Sequence, residues 1–560
     1  MNPRSVVVLS PWTEPPAAAR VSIFVIRFEG MRQEVEDVPE LMHLIQSRLA
    51  YEEAGRTSVL SKSWLHAWST IPILRFVVRR QKSMKLEDVD RTLIRYLRDD
   101  IPIERFFLVI DIEDQESASH AEKWIGPIAT KTCLREFDLS IKLFGASFTL
   151  PDEILSGENL NLTKIKVEAS MASRYSFWMT TSQRPVINCV SLRELHLEGV
   201  SISEEVLHDL LSSCTLLEKI VLIDSCKGFK TLKVKDLPHL YELRIALDAA
   251  SSTALELSDV PNLDVFSCDL HNLRPFMPLI PFNAHSVFLA SSLTQLSLDV
   301  VIQDYECLDM IKSGLPFLDS LTLFMRYWML GSFHFTCASI RRLCLKSCES
   351  SLIDIQVHAP KLLLFEFSGN ILPSLLFPVS SLKHTMITLS LHTPVDVDFF
   401  LKMRETLMLS CKCRLSILTD YFKEVVEEEE EELPLDIDID IDELRKRLLF
   451  PPAKNVQQLS FQTGRDECMW ERSPFFDAFF EICHPEHVFA NSDIRFRNKN
   501  HFCRLMLREV LEKKTKPAYW ARYLKHVQIR RNRYKKWKTL TNSQRSFLEN
   551  GSLNFKLKWC

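Results

Sequence analysis

The sequence predicts a mixed α/β chain: a small three-helix unit, then a long solenoid built on a parallel sheet, then a helical C-terminal cap. Three observations predict it. An apolar-x-x-apolar-x-apolar triplet recurs through the middle of the chain. A short stretch before it carries helix-start signals. Glycine is scarce, 12 residues in 560, against a usual ~7%, so tight hairpins and phosphate-cradling loops are poorly provided for.

At 560 residues the chain is too long for one core, and two to four structural units are expected. Residues 1–30, with Pro11, Pro15, Pro16 and Ala17-Ala18-Ala19, read as a flexible leader; Met31 opens a more orderly stretch and is an alternative start. In the next segment, 31–80, three short helices are expected. Pro39 sits where a first helical turn tolerates proline. Leu41, Leu44, Ile45 and Leu49 follow at helical spacing. Glu52 to Leu60 forms the second helix. Ser61 is a candidate N-cap for the third, which carries Trp64 and Trp68 at i, i+4. About 40 residues bury too little surface to stand alone, so this unit leans on a partner or on the next domain.

The repeat fills residues 81–423. Its triplets are Leu134-Phe137-Leu139, Leu162-Ile165-Val167, Leu192-Leu195-Leu197, Leu217-Ile220-Leu222 and Leu240-Leu243-Ile245. They continue as Leu263-Phe266-Cys268, Leu293-Leu296-Leu298, Leu318-Leu321-Leu323, Ile340-Leu343-Leu345 and Leu362-Phe365-Phe367. Their last members are 22 to 30 residues apart, the period of a leucine-rich repeat with one short parallel strand per unit. No unit buries its apolar side alone, so the strands stack into a curved solenoid. Second short apolar stretches, such as Leu232-Lys233-Val234 and Leu255-Glu256-Leu257, follow some strands. Side chains alternate faces along a strand, so the intervening positions point outward. The row His196, Val221, Arg244, Ser297, Thr322, Cys344 and Glu366 is therefore a candidate docking face; His196, Arg244, Thr322 and Glu366 are its candidate target-binding residues.

Residues 424–443 are dense in acid, including Glu427 to Glu432, and read as a solvated disordered loop. In the remainder, 444–560, Val456-Leu459-Phe461 resembles one more repeat strand. Phe502, Leu505, Met506, Val510 and Leu511 have helical spacing. Lys513 to Lys538 holds eleven Lys and Arg and no acid, which reads as an amphipathic capping segment or a nuclear-import signal; nucleic acid is an unlikely partner.

Net charge is −4 and excludes little. Fifteen single cysteines without a CxxC pair suit a reducing compartment, so a cytoplasmic or nuclear location is expected. No apolar run is long enough to span a bilayer. Cys483, His484 and His487 lie close together but lack a fourth ligand of zinc-site spacing, and Cys411-Lys412-Cys413 and Cys344 with Cys348 read as packing thiols. No GxSxG, GxxxxGK[ST] or GxGxxG motif occurs. No metal, cofactor or enzymatic activity is expected.

One motif carries a specific resemblance. Val38-Pro39-Glu40, then Arg56-Thr57-Ser58-Val59-Leu60-Ser61-Lys62-Ser63-Trp64, then Trp68, Pro72 and Phe76 resemble the plant F-box signature, with Val38, Ser63 and Ala67 standing where Leu, Arg and Leu are usual. The repeats resemble those of plant F-box/leucine-rich-repeat (LRR) proteins, with RNI-like solenoids. Cys483-His484-Pro485 and Trp520-x-x-Tyr523-Leu524-Lys525-x-Val527 resemble the FBD-like ending of that group. The resemblance implies a non-catalytic subunit of a ubiquitin ligase: the helices dock onto a Skp-type adaptor on a cullin scaffold, and the repeats hold a target protein. Pro39, Leu41, Ile45 and Leu60 are then the candidate adaptor contacts. Trp64 is either a contact or a residue packed between the helices. The alternative is an interaction scaffold without ligase coupling.

Overall fold

In the computed structural model the described residues are 6–8, 24–26, 39–49, 51–80, 85–131, 133–156, 160–171, 176–180, 185–248, 253–271, 292–299, 306–325, 331–347, 352–380, 382–391, 395–418, 439–463, 474–492, 519–530, 536–541 and 553–560. The acidic run Glu427 to Glu432, Cys348 and the helical pattern around Phe502 fall outside them. The chain divides into two compact units, Met1–Leu263 and Asp264–Cys560.

In the first unit a short antiparallel pair, Val6–Val8 with Phe24–Ile26, precedes three helices: Pro39–Ser47, Tyr51–Thr57 and Lys62–Ser69. Ser61 caps the third, its hydroxyl accepting from Trp64 N at 3.3 Å. Their shared core is small, made of Met42, Trp64 and Ala67 with Ile45 against it. The parallel sheet starts at Ile73–Val78, before residue 80, and continues through Arg105–Ile112, Glu136–Leu143, Lys164–Met171, Glu194–Glu198, Lys219–Ile223 and Glu242–Asp248. Every ladder is parallel, as a repeat with one strand per unit requires. Connecting helices return the chain. Gln115–Ala129 starts at a capping box in which Asp114 and Ser117 satisfy each other's backbone N–H, and Ser203 caps Glu204–Ser213. The second apolar stretches form their own parallel pair, Thr231–Lys235 with Ala254–Ser258.

A glycine-poor chain still has to turn after each strand. Asp224, Asp236 and Asp259 do so at φ 54°, 56° and 54°, the left-handed region that Asp tolerates better than most residues. At one turn Asp would not serve: Gly199 has φ +66°, and a Cβ there would sit 2.2 Å from Ala169 O.

In the second unit the parallel order is Val265–His271, Gln295–Asp299, Ser320–Phe324, Arg342–Lys346, Leu364–Gly369, His384–Ser390, Lys412–Leu418, Val456–Thr463 and His487–Ser492. A second layer pairs Ser332–Thr336, Asp354–His358 and Ser374–Leu376. Every member of the ten sequence triplets is 2% exposed or less, so the repeat reading fits the core of both units.

Two expectations need correction. The described C-terminal cap is mostly strand, not helix. Leu553–Trp559 pairs antiparallel with His487–Ser492 and with Leu524–Arg530, which pairs in turn with Lys538–Thr539. Within the Lys- and Arg-rich stretch, Leu524–Arg530 ends on period two, because Val527 and Ile529 are buried while Gln528 and Arg530 alternate with them. β-Branched residues at that period favour a strand. The other correction is at the end of the acidic segment. Ile441–Arg447 is a helix whose N-cap Asp440 accepts from Asp442 N and Glu443 N at 2.9 and 3.0 Å. Acid in its first turn and Arg445, Lys446 and Arg447 in its last complement the helix dipole, and the Arg445 guanidinium reaches Glu481 at 2.7 Å.

Candidate partner-binding surfaces

The first helix buries a different stripe from the one its leucines suggest. Met42 and Gln46 are buried and Ile45 half-buried, while Leu41 and Leu44 are 38% and 53% exposed. The buried stripe follows i, i+3, i+4; Leu41 and Leu44 share a different face. Gln46 is held in place by bonds from Nε2 to Thr57 Oγ1 at 2.9 Å and to Trp64 O at 3.1 Å. Beyond the second helix, Val59 and Leu60 are exposed, as is Leu65 on the third. The unit thus keeps a minimal core and turns five large apolar side chains to solvent, more than isolated surface leucines need explaining.

Of the candidate adaptor contacts, Pro39 is the first residue of its helix, Leu41 and Leu60 are exposed and Ile45 is half-buried against the core. Trp64 is core, 5% exposed between Met42 and Ala67. Its indole packs the helices together and is not a free contact. Leu44, Val59 and Leu65 are not among the candidate adaptor contacts named from sequence; on the first helix, a helical-wheel reading cannot decide which of two apolar stripes turns inward.

The outward face of the sheet is the second surface. In the first unit the middle positions read in register Arg75, Phe107, Asp138, Lys166, His196, Val221 and Arg244. His196 Nε2 lies 3.7 Å from Glu168 and 3.4 Å from Glu198, and Arg244 Nε lies 2.6 Å from Glu242. Both candidate residues are thus engaged within the sheet. Val221 is a correction: it is 4% exposed, because the longer His196 and Arg244 side chains flank it in register.

Glu168, His196 and Glu198 bring three metal-type ligand atoms within 4.8 Å of one another. Lys166 Nζ lies 2.7 Å from Glu168 and 3.9 Å from Asp138, so an ammonium already supplies the positive charge that these carboxylates balance. Burial pushes the Asp138 carboxyl above its ordinary value against the pull of Lys166.

In the second unit the middle row reads Ser267, Ser297, Thr322, Cys344, Glu366 and Met386. Thr322 and Glu366 flank Cys344 and hydrogen-bond to its thiol, which burial first, and then the Glu366 carboxylate, push up to about 11. Such a thiol is not a nucleophile at neutral pH.

The Cys483, His484, His487 cluster is packing. Cys483 is fully buried. The His484 ring stacks on Trp559 with centroids 4.2 Å apart and planes 3° from parallel, and His487 lies 5.6 Å from the Trp537 ring. Trp520, from the C-terminal motif, is buried and donates Nε1–H to Asp477 at 2.6 Å. Among the described residues no helix is long and apolar enough to cross a membrane.

Comparison with known proteins gives a consistent picture. Residues 121–271 match the repeat family described as the LRR repeats of the FBD-associated F-box protein At5g56370. The chain is 25% identical over 269 residues to a putative F-box/LRR-repeat protein of Arabidopsis thaliana, At5g02930, covering 48% of this chain and 51% of that one. It is 26% identical over 281 residues to the F-box protein At1g80960, covering 44% and 55%. It is 30% identical over 194 residues to a putative F-box/FBD/LRR-repeat protein, At4g13965, covering 34% and 42%. Both of these are also from Arabidopsis thaliana. The chain spans about half the length of the curated relatives it matches.

Proposed function

We propose, on the premise that this chain is a relative of the plant F-box/LRR-repeat proteins, that it is the substrate-recognition subunit of a Skp-cullin-F-box ubiquitin ligase complex. The observation that carries the reading is the three-helix unit at 39–69. It bears the F-box-like signature and presents Leu41, Leu44, Val59, Leu60 and Leu65 to solvent over a core of Met42, Trp64 and Ala67. Burying one such side chain against a Skp-type adaptor contributes about 1.5–3 kcal/mol, so a few suffice. The adaptor hangs from a cullin scaffold, and the chain contributes no catalytic group. Its rate effect is proximity: a target held on the repeats meets the ubiquitin-loaded enzyme in an intramolecular encounter. This role calls for a cytoplasmic or nuclear location.

The target docks on the outward face of the second unit, around Thr322, Cys344 and Glu366. The Thr322 hydroxyl and Glu366 carboxylate there bond to the Cys344 thiol, and among the described residues Glu366 is in no ion pair, unlike the paired charges of the first unit.

The test is capture of a purified plant Skp-type adaptor by the full chain. Leu41→Asp with Leu60→Asp places two charges at exposed sites and should abolish capture while circular dichroism stays unchanged. Undiminished capture by the folded double variant would remove this docking surface. No capture by the wild-type chain would leave the alternative, an interaction scaffold without ligase coupling.

A further inference from the structure

One cavity in the first unit has no part in that reading. It lies where the three-helix segment meets the strand Ile73–Val78 and the helix Leu86–Arg98, and its volume is about 380 Å³, within the range that holds a small organic ligand. Two of its lining residues each hold a buried polar atom without a hydrogen-bond partner among the described residues. Gln46 is 1% exposed. Its Nε2 donates to Thr57 and Trp64, which fixes the amide orientation and leaves Oε1 buried without a donor. Arg95 donates Nη2–H to Ser69 O at 3.0 Å, while its Nε is buried without an acceptor. Buried orphans of this kind are uncommon in native proteins and call for a missing partner.

The charge of the lining is one-sided. Four arginines contribute, at positions 75, 91, 95 and 105, and no carboxylate does. Asp88 lies 3.6 Å from Arg91, and Glu136 lies 3.2 Å from Arg105. Arg75 and Arg95 make no ion pair among the described residues. The Arg75 guanidinium instead lies 5.9 Å from the Phe107 ring centroid, and that of Arg95 lies 5.2 Å from the Tyr96 centroid. Trp68 adds a third aromatic wall.

We propose that this cavity binds a small organic oxyanion, a carboxylate or phosphate monoester on an aromatic or short apolar body that also carries a hydroxyl or N–H donor. The oxyanion meets Arg75 and Arg95, because guanidinium forks match carboxylate and phosphate geometry. The ring lies against Trp68 and Phe107, and the ligand's donor satisfies Gln46 Oε1. Adaptor binding is not required for any of this.

The experiment titrates the full chain by calorimetry and ligand-observed NMR with para-hydroxyphenylacetate, para-hydroxyphenyl phosphate and the neutral para-hydroxyphenylethanol, each at millimolar concentration. At least one anion should bind, about tenfold or more tighter than the neutral alcohol, the difference that one charge-assisted contact supplies. Which anion binds decides between carboxylate and phosphate. Arg75 is exposed and unpaired, so Arg75→Gln should fold normally by circular dichroism and bind about tenfold more weakly. Binding by neither anion, equal binding of the neutral alcohol, or unchanged affinity in folded Arg75→Gln would each overturn the proposal.

Discussion

The outward positions that lead each strand differ sharply between the two units. In the first, from its second strand onward, they read in register Arg105, Glu136, Lys164, Glu194, Lys219 and Glu242. In the second the same positions read Val265, Gln295, Ser320, Arg342, Leu364 and His384. The first row alternates in sign at every step. Its neighbours pair, Arg105 with Glu136 at 3.2 Å, Lys164 with Glu194 at 2.6 Å and Lys219 with Glu242 at 2.8 Å. The first two, which are partly exposed, add at most about 1 kcal/mol each. Their larger effect is on specificity, since like charges directly opposite on adjacent strands are destabilising, so a strand placed out of order would meet its own sign. The second row lacks the device. Its strand order rests on the buried triplets.

The largest effect should come from reversing the one deeply placed charge of the ladder. The Glu242 side chain is 8% exposed, with Lys219 Nζ at 2.8 Å and Arg244 Nε at 2.6 Å. Glu242→Lys gathers three cations around a poorly hydrated point and should cost about 3–5 kcal/mol in urea unfolding. Ser320→Lys, at the corresponding position of the second unit, should stay within about 0.5 kcal/mol. Equal costs would mean that the ladder is not what distinguishes the units.

Acid sharpens the comparison, because the units should fail in different pH windows. Burial, and secondarily Lys454, push the His484 imidazole of the second unit down from 6.5 to about 4. The unfolded chain therefore takes up a proton that the folded unit refuses. His484 costs nothing above pH 6.5, and stability falls as pH drops from there towards 4, by roughly 3 kcal/mol in total. Burial pushes the Glu242 carboxyl of the first unit up, but Lys219 and Arg244 outweigh it and the net displacement is below 4.5. Its contribution is present above pH 4.5 and is lost only as pH falls further, through the folded-state value. Hydrogen exchange between pH 7 and 5 should loosen Leu553–Trp559 before Glu242–Asp248, and His484→Gln should flatten that dependence. Simultaneous loosening would contradict the assignment.

The smallest effect tests the interior of the first unit's charge network. With the Asp138 carboxyl above its ordinary 3.8, the charged form is disfavoured in the fold. Its cost is absent well below pH 3.8, grows as pH rises from there to the folded value and is constant above it. Asp138→Asn should therefore leave the melting temperature at pH 7 unchanged or about 1–2 °C higher, and the gain should vanish below pH 3.8. A clear loss at pH 7 would show that Lys166 depends on Asp138 as well as on Glu168.

The repeat was legible because its signal is local and redundant. A strand that faces a core on one side must place apolar residues two apart, and ten such triplets at similar spacing leave little else to infer. Even so, the reading began too late. Ile71-Leu74-Phe76 and Ile103-Phe106-Leu108 carry the same spacing and precede or lie within the first two strands, but they adjoin a helical segment and a charged one. Leu382-Thr385-Ile387 was hidden by a buried threonine. In the C-terminal region, high charge drew attention to a helical face where Val527 and Ile529 mark a strand.

What the sequence determined alone was therefore the inward half of the molecule. The triplets, the Ser61 cap and the proline that opens the first helix follow from backbone geometry and the removal of apolar surface from water, and these act over a few residues. What only the tertiary structure decided was how outward and interhelical positions combine. The sign alternation of the ladder joins residues some 20 to 30 positions apart and exists only once the register is set. Met42 turned inward while Leu41 and Leu44 stayed out, because two apolar stripes on one short helix compete for a core with room for one. The cavity beside Gln46, Arg75 and Arg95 draws on four segments of the chain, and no single segment contains enough of it to be read.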